Sequence, residues 1–218
     1  MDFLVTGLVI AAIVAGVARW LYSRGSARES PTIPVAGPPH RGETDVVARP
    51  VETGHEAAVQ AVEHREHYYV ALRHQALHRS RAELGLVKPS KPTKPWGVLM
   101  ETSFENAHVT VLALSDGNAS IYLSTGGGFI GGMGHQSIRQ AAVNMVRVAG
   151  TLGPQMTPTK TFPLPERGRT IFYVLTDAGV RTGSATDDEL RQQRHALAPL
   201  FFAGQGVITQ YRLLSEKK

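Results

Sequence analysis

AHVTVLALSDGNASIYLS, residues 107–124, reads as two strands joined by a tight turn. The first half is rich in β-branched and aliphatic side chains, which suit a pleated, half-buried surface. Asp116-Gly117 supplies the positive φ values that a short hairpin turn requires, so SIYLS (120–124) is expected to return as the paired strand. Working outward, WGVLM (96–100) reads as a further strand upstream. TIFYVLT (170–176) reads as another downstream, with Asp177-Ala178-Gly179 turning it toward a short segment near Val180 and Arg181.

Between these strands lie a glycine-rich stretch and a helix. TGGGFIGGMG (125–134) holds six glycines in ten residues and is read as a loop. From Gln136 to Leu152, Ile138, Ala141, Ala142, Met145, Val148 and Leu152 recur on one side of a helix that Gly153-Pro154 ends. Residues 157–169 are proline-rich and irregular. Thr186-Asp187-Asp188-Glu189 spells a capping box with an acidic first turn, opening a helix expected to run to about Ala198. Pro199 opens a last segment through Leu214, its middle left open by Gly204 and Gly206. Hairpins dominate this order, so residues 96–218 are expected to form an α+β domain with a largely antiparallel sheet flanked by helices. The element order is loosely similar to that of roadblock/longin- and profilin-like sandwiches, a likeness of order alone that assigns no family.

The first 95 residues differ in kind. Phe3 to Ala18, FLVTGLVIAAIVAGVA, carries no charge, and Arg19, Trp20, Leu21 and Tyr22 follow. A run of about twenty apolar residues can cross the hydrocarbon core as a helix, with Arg19 snorkelling and the two rings at headgroup level. Residues 1–22 are therefore read as a transmembrane anchor rather than a cleaved signal, which needs a basic leading region. Arg19, Arg24 and Arg28 all follow the run and no Lys or Arg precedes it, which predicts an inner-membrane, single-pass protein with its N-terminus outside and its domain in the cytoplasm. Residues 23–55, with five prolines and no hydrophobic period, are read as a disordered linker.

Residues 56–87 read as an amphipathic helix, with Ala58, Val62, Tyr69, Leu72 and Ala76 on one face. His64, His67, His74 and His78 fall on the opposite face. His74 and His78 have the i, i+4 spacing that can chelate a metal, but no set of ligands is complete: His55-Glu56 starts an H-E-x-x-H pattern and Val59 stands where the second His is required. KPSKPTKP (88–95) follows, and polyproline II geometry would align Lys88, Lys91 and Lys94 on one edge as a stiff basic spacer able to touch anionic lipid.

Composition narrows the chemistry. Among 218 residues there are 23 Lys+Arg against 18 Asp+Glu and no Cys, which excludes disulfides, thiolate metal sites and thiol nucleophiles. The positive excess is modest and matches no nucleic-acid motif, so nucleic acid is not expected as a partner. Gly126-x-Gly128-x-x-Gly131 fits a dinucleotide fingerprint by spelling, and a helix follows it. The preceding strand belongs to a hairpin, however, and no acidic residue stands where a ribose would be held. His135-Gln136-Ser137 replaces the Lys-Ser/Thr of a Walker A loop. No cofactor is implied and no catalytic set is complete. The expectation is a membrane-anchored interaction or adaptor domain with lipid and protein partners. The alternative is a regulatory domain binding an anionic small ligand at Gly126, Gly127, Gly128, Gly131 and His135. An enzyme acting on a membrane-associated substrate ranks last, and the oligomeric state is left open.

Overall fold

The computed structural model describes residues 67–216. The anchor, the linker and residues 56–66 of the amphipathic helix lie outside the described residues, and no described helix is long and apolar enough to cross a membrane. Residues 67–78 are helical (α1). Then come β1 (Gly97–Ser103), β2 (His108–Leu114), β3 (Ala119–Leu123) and β4 (Gly128–Ile130), followed by α2 (Gln136–Leu152). After a 3₁₀ turn (Gly153–Gln155) the chain adds β5 (Thr157–Thr159), β6 (Arg169–Thr176) and β7 (Gly179–Thr186), then α3 (Asp187–Arg191) and α4 (Ala198–Glu216). The strands form one seven-stranded sheet in the order β4-β3-β2-β1-β6-β7-β5. Each pairing is antiparallel, so the fold is α+β as the strand pattern predicts.

The sheet is buried on both faces, and alternation along β1 assigns its side chains to two cores. Val98 and Met100 face α2 and α4, joining Val111, Ile121, Phe172 and Val174 against Ile138, Met145, Leu200 and Phe201. Leu99 faces the other way, joining Leu112, Tyr122, Tyr173 and Leu175 against Tyr69, Ala76, Leu77, Leu86 and Trp96. The molecule is thus three layers deep: α2 and α4, the sheet, and a cover built from α1 and the segment that leads from it to β1.

Several elements depart from the sequence expectation. The helix of the cover stops at residue 78 rather than 87. Ser80 turns its backbone N–H and hydroxyl to the Glu83 carboxylate, both at 2.7 Å, and this local bonding competes with helix continuation. Residues 88–95 are not an extended strut. Lys94 N–H closes a turn onto Lys91 C=O at 3.0 Å, and Pro92 C=O accepts from Ala178 N–H at 3.0 Å, so the lysines do not line one straight edge. The glycine-rich stretch contains a strand, β4, and the irregular segment contains β5. The short segment after the 177–179 turn is an eight-residue strand, β7. Its polar sequence, GVRTGSAT, reflects a strand near the sheet edge that is only half covered.

The helix opened by Thr186 ends at Arg191, while its capping box forms with both reciprocal bonds. α4 runs through Gly204 without a break. A Cβ there would lie 2.5 Å from Met100 Sδ, so the glycine marks close helix-to-sheet packing rather than a helix end.

Candidate functional site

Beneath α1 lies a closed polar network. Glu101 sits in the middle of β1, fully buried, on the face that α1 covers. Arg73 of α1 grips it with both arms of its guanidinium: Nε donates to Oε1 at 2.8 Å and Nη2 to Oε2 at 2.7 Å. Thr110 of β2 donates to Glu101 Oε1 at 3.1 Å, and the Tyr69 hydroxyl stands 3.0 Å from Thr110 Oγ1, to which it donates since the Thr proton is committed to Glu101. Arg73 Nη2 also donates to Phe162 C=O at 2.8 Å, and the Tyr173 hydroxyl to Pro163 C=O at 2.6 Å. Burial, with the Glu101 charge adding to it, pushes the Tyr69 and Tyr173 hydroxyls up to about 12. Burial pulls the Arg73 guanidinium down, but its bonds to Glu101 and the carboxylate charge outweigh this and hold it above its ordinary value. The phenols and the guanidinium keep their protons at neutral pH, and the bonds join α1 to β1 and β2, so the network works as a clasp between cover and sheet.

A second network lies on the opposite face. Thr102 of β1 and Thr170 of β6 bond through their hydroxyls at 2.9 Å, and Thr170 donates to Asp187 Oδ1 at 2.7 Å. Burial raises the Asp187 carboxyl, opposed by the Thr170 bond and the Arg191 charge. The native state therefore holds this proton more tightly than the unfolded chain does. Its contribution to stability is present at low pH and is lost as pH rises from the ordinary value of 3.8 through the raised native one. Asp187→Asn removes that titration. The stability of the variant relative to the parent is expected to rise with pH across this window, as read from urea midpoints at several pH values. A difference that stays flat or falls would contradict the assignment.

The glycine-rich segment is largely committed to backbone packing. Gly126 and Gly127 make the β3–β4 turn, with Gly126 N–H bonded to Leu123 C=O at 3.0 Å. Gly128 has φ +135°, and a Cβ there would lie 2.1 Å from Ile121 O, so the glycine lets β4 approach β3. A Cβ on Gly132 would lie 2.3 Å from Ile138 Cγ2 and 2.7 Å from the Tyr211 hydroxyl, which donates to Ala119 C=O at 2.6 Å. Gly131 follows β4, its N–H bonded to Ser120 Oγ at 3.3 Å. His135 is exposed, precedes α2 in extended geometry and makes no side-chain cap. The apolar residues of the segment divide: Phe129 stacks on Tyr211 with 5.0 Å between centroids, whereas Ile130 and Met133 are 63% and 48% exposed.

The histidines of α1 face outward as the helical spacing predicts. His74 and His78 stack with 3.9 Å between centroids and 15° between planes, and His78 Nδ1 lies 2.9 Å from His74 C=O. Parallel rings aim their in-plane nitrogen lone pairs alongside one another, so the pair does not converge on a single point in this arrangement. Among the described residues, no group of three or more His, Asp or Glu is placed to hold a metal ion.

Residue spacing alone did not single out Arg73 or Glu101. The available signal is a lone carboxylate directly after Val98, Leu99 and Met100 inside the strand GVLMETS. A buried charge of that kind requires a cationic partner. Compared with known proteins, the chain matches no family model, no curated protein and no solved structure.

Proposed function

We propose that the chain is a single-pass membrane protein whose α+β domain, on the cytoplasmic side, serves as an interaction or adaptor module. The apolar run from Phe3 to Ala18 supports the anchor. The observation that carries the interaction reading is the β4 edge of the sheet. β4 ends the strand order, and Ile130 and Met133 stand exposed on and beside it. The Glu101 network is closed on itself, which suits a rigid scaffold better than a reacting centre.

Two measurements test the two halves separately. Carbonate washing is expected to leave the full chain in the membrane pellet, and its release into the supernatant would overturn the anchor. Affinity capture from solubilised membranes is expected to retain a discrete partner with the parent chain and lose it with Ile130→Glu, a change at a 63% exposed side chain, with equal melting of the two chains as the check on the fold. Equal retention by both chains would remove the β4 edge from the interface.

A further inference from the structure

The net charge of the described part lies almost entirely in its cover. Residues 67–95 hold six Lys/Arg and one acid, Glu83, whereas residues 96–216 hold nine Lys/Arg and nine Asp/Glu. Within the cover, Arg73 is spent on Glu101 and Arg81 on Asp177, the latter at 3.1 Å. Glu83 is taken by Ser80, whose bonds, with a smaller effect of the Arg79 charge, hold its carboxyl below the ordinary value. Arg79, Lys88, Lys91 and Lys94 remain, exposed and in no ion pair among the described residues, the three lysines within one short segment.

These lysines sit on a built loop. Leu86 is buried beneath it, Arg81 Nη1 donates to Leu86 C=O, and Ala178 N–H holds Pro92 C=O. Pro95 and Trp96 are buried where the loop enters β1. Val87, between buried Leu86 and Lys88, is 87% exposed, more than any other large hydrophobic among the described residues. One fixed segment that carries a highly exposed aliphatic side chain and three exposed ammonium groups in no ion pair suits the boundary of an anionic bilayer, with phosphates outside and acyl chains just beneath. No aromatic side chain accompanies the lysines from 87 to 94, so the stacking platform that single-stranded nucleic acid uses is missing there.

We infer that the loop 87–94 docks the domain on anionic lipid, with Val87 entering the headgroup layer and Lys88, Lys91 and Lys94 on the phosphates. The inference rests on the anchored reading only for proximity, since an anchor on the same chain would hold the loop near the bilayer. It also sets the orientation of the domain, cover toward the membrane and α2 and α4 away from it.

The chain has no cysteine, so Val87→Cys in the full-length protein carries the single thiol. An environment-sensitive fluorophore on it is to be read with the protein in vesicles of phosphatidylcholine alone and in vesicles with about one-third phosphatidylglycerol. A blue shift confined to the anionic vesicles is expected, reversed by about 0.5 M salt through screening. Each Lys near the surface is expected to contribute about fivefold, so changing Lys88, Lys91 and Lys94 together to Gln lowers the docking equilibrium about a hundredfold. The same fluorophore on Val143→Cys, exposed on α2, is expected to stay unshifted.

An unmoved Val87 label in anionic vesicles, or an equal response in neutral ones, would overturn the docking. A shift produced by nucleic acid without vesicles would assign the loop to a different polyanion and overturn it too. If carbonate releases the chain, the anchor fails, while vesicles added to the released protein still decide the loop.

Discussion

Arg73→Ala is expected to lower the stability of the domain by about 3–5 kcal/mol, the usual loss when one partner of a buried ion pair is removed. Glu101 has no exposed surface, and its remaining donor would be the Thr110 hydroxyl. The carboxylate would then be forced to take up a proton, admit water or lift the cover. Urea unfolding of the parent and variant measures the loss. Hydrogen exchange locates it, with the excess expected in residues 67–96 and in β1. Replacing both partners, Arg73→Met with Glu101→Leu, removes the charges together and is expected to recover most of the stability. A single variant within about 0.5 kcal/mol of the parent would mean that the clasp holds nothing.

Gly128→Val is expected to cost about 3 kcal/mol, from a left-handed backbone imposed on a β-branched residue and from a Cβ driven into a main-chain oxygen. The measured loss stops where β4 detaches, since the chain can then give up the Phe129 stack on Tyr211 and escape the clash. Gly127→Val is the control. Gly127 also has positive φ, +80°, but a Cβ there meets nothing within 4 Å, so only the backbone strain of about 1–2 kcal/mol is expected. A ligand cradle predicts a different pattern, with binding lost and stability unchanged at both positions. Equal melting of the Gly128 variant and the parent would therefore return the segment to a ligand-binding reading.

What could be read from the residues was local. α2 begins at Gln136 and ends at Leu152 as its periodicity and Gly153-Pro154 predict, and the hairpin of β2 and β3 follows from Asp116-Gly117 between alternating segments. The Thr186 capping box is also visible because its two partners are three residues apart. The missed elements depend on distant partners. β4 is three residues long and glycine-led, and it exists because β3 offers an edge to pair with. β7 has few apolar residues and is a strand because β6 lies along it over eight positions. The clasp joins residues 28 apart, the bend at Lys91–Lys94 is fixed by Ala178, and neither relation has a period or a turn signature. The glycine spelling at 126–131 suggests a ligand loop, whereas the structure places Gly128 and Gly132 against neighbouring chain atoms.

Glu101 also has a consequence for the order in which the chain is made. β1 has its β2 neighbour available as soon as both are made, but its other edge waits for β6, with Gly97 opposite Leu175. At ordinary ribosomal speeds of about 5–20 residues per second, that edge stands open for about 4–16 s. An apolar strand with a free edge invites pairing with a neighbouring nascent chain. A carboxylate in its centre resists burial in any pairing that does not also bring Arg73, already made, onto the same face, so the group that the clasp holds in the finished domain works against wrong association during synthesis.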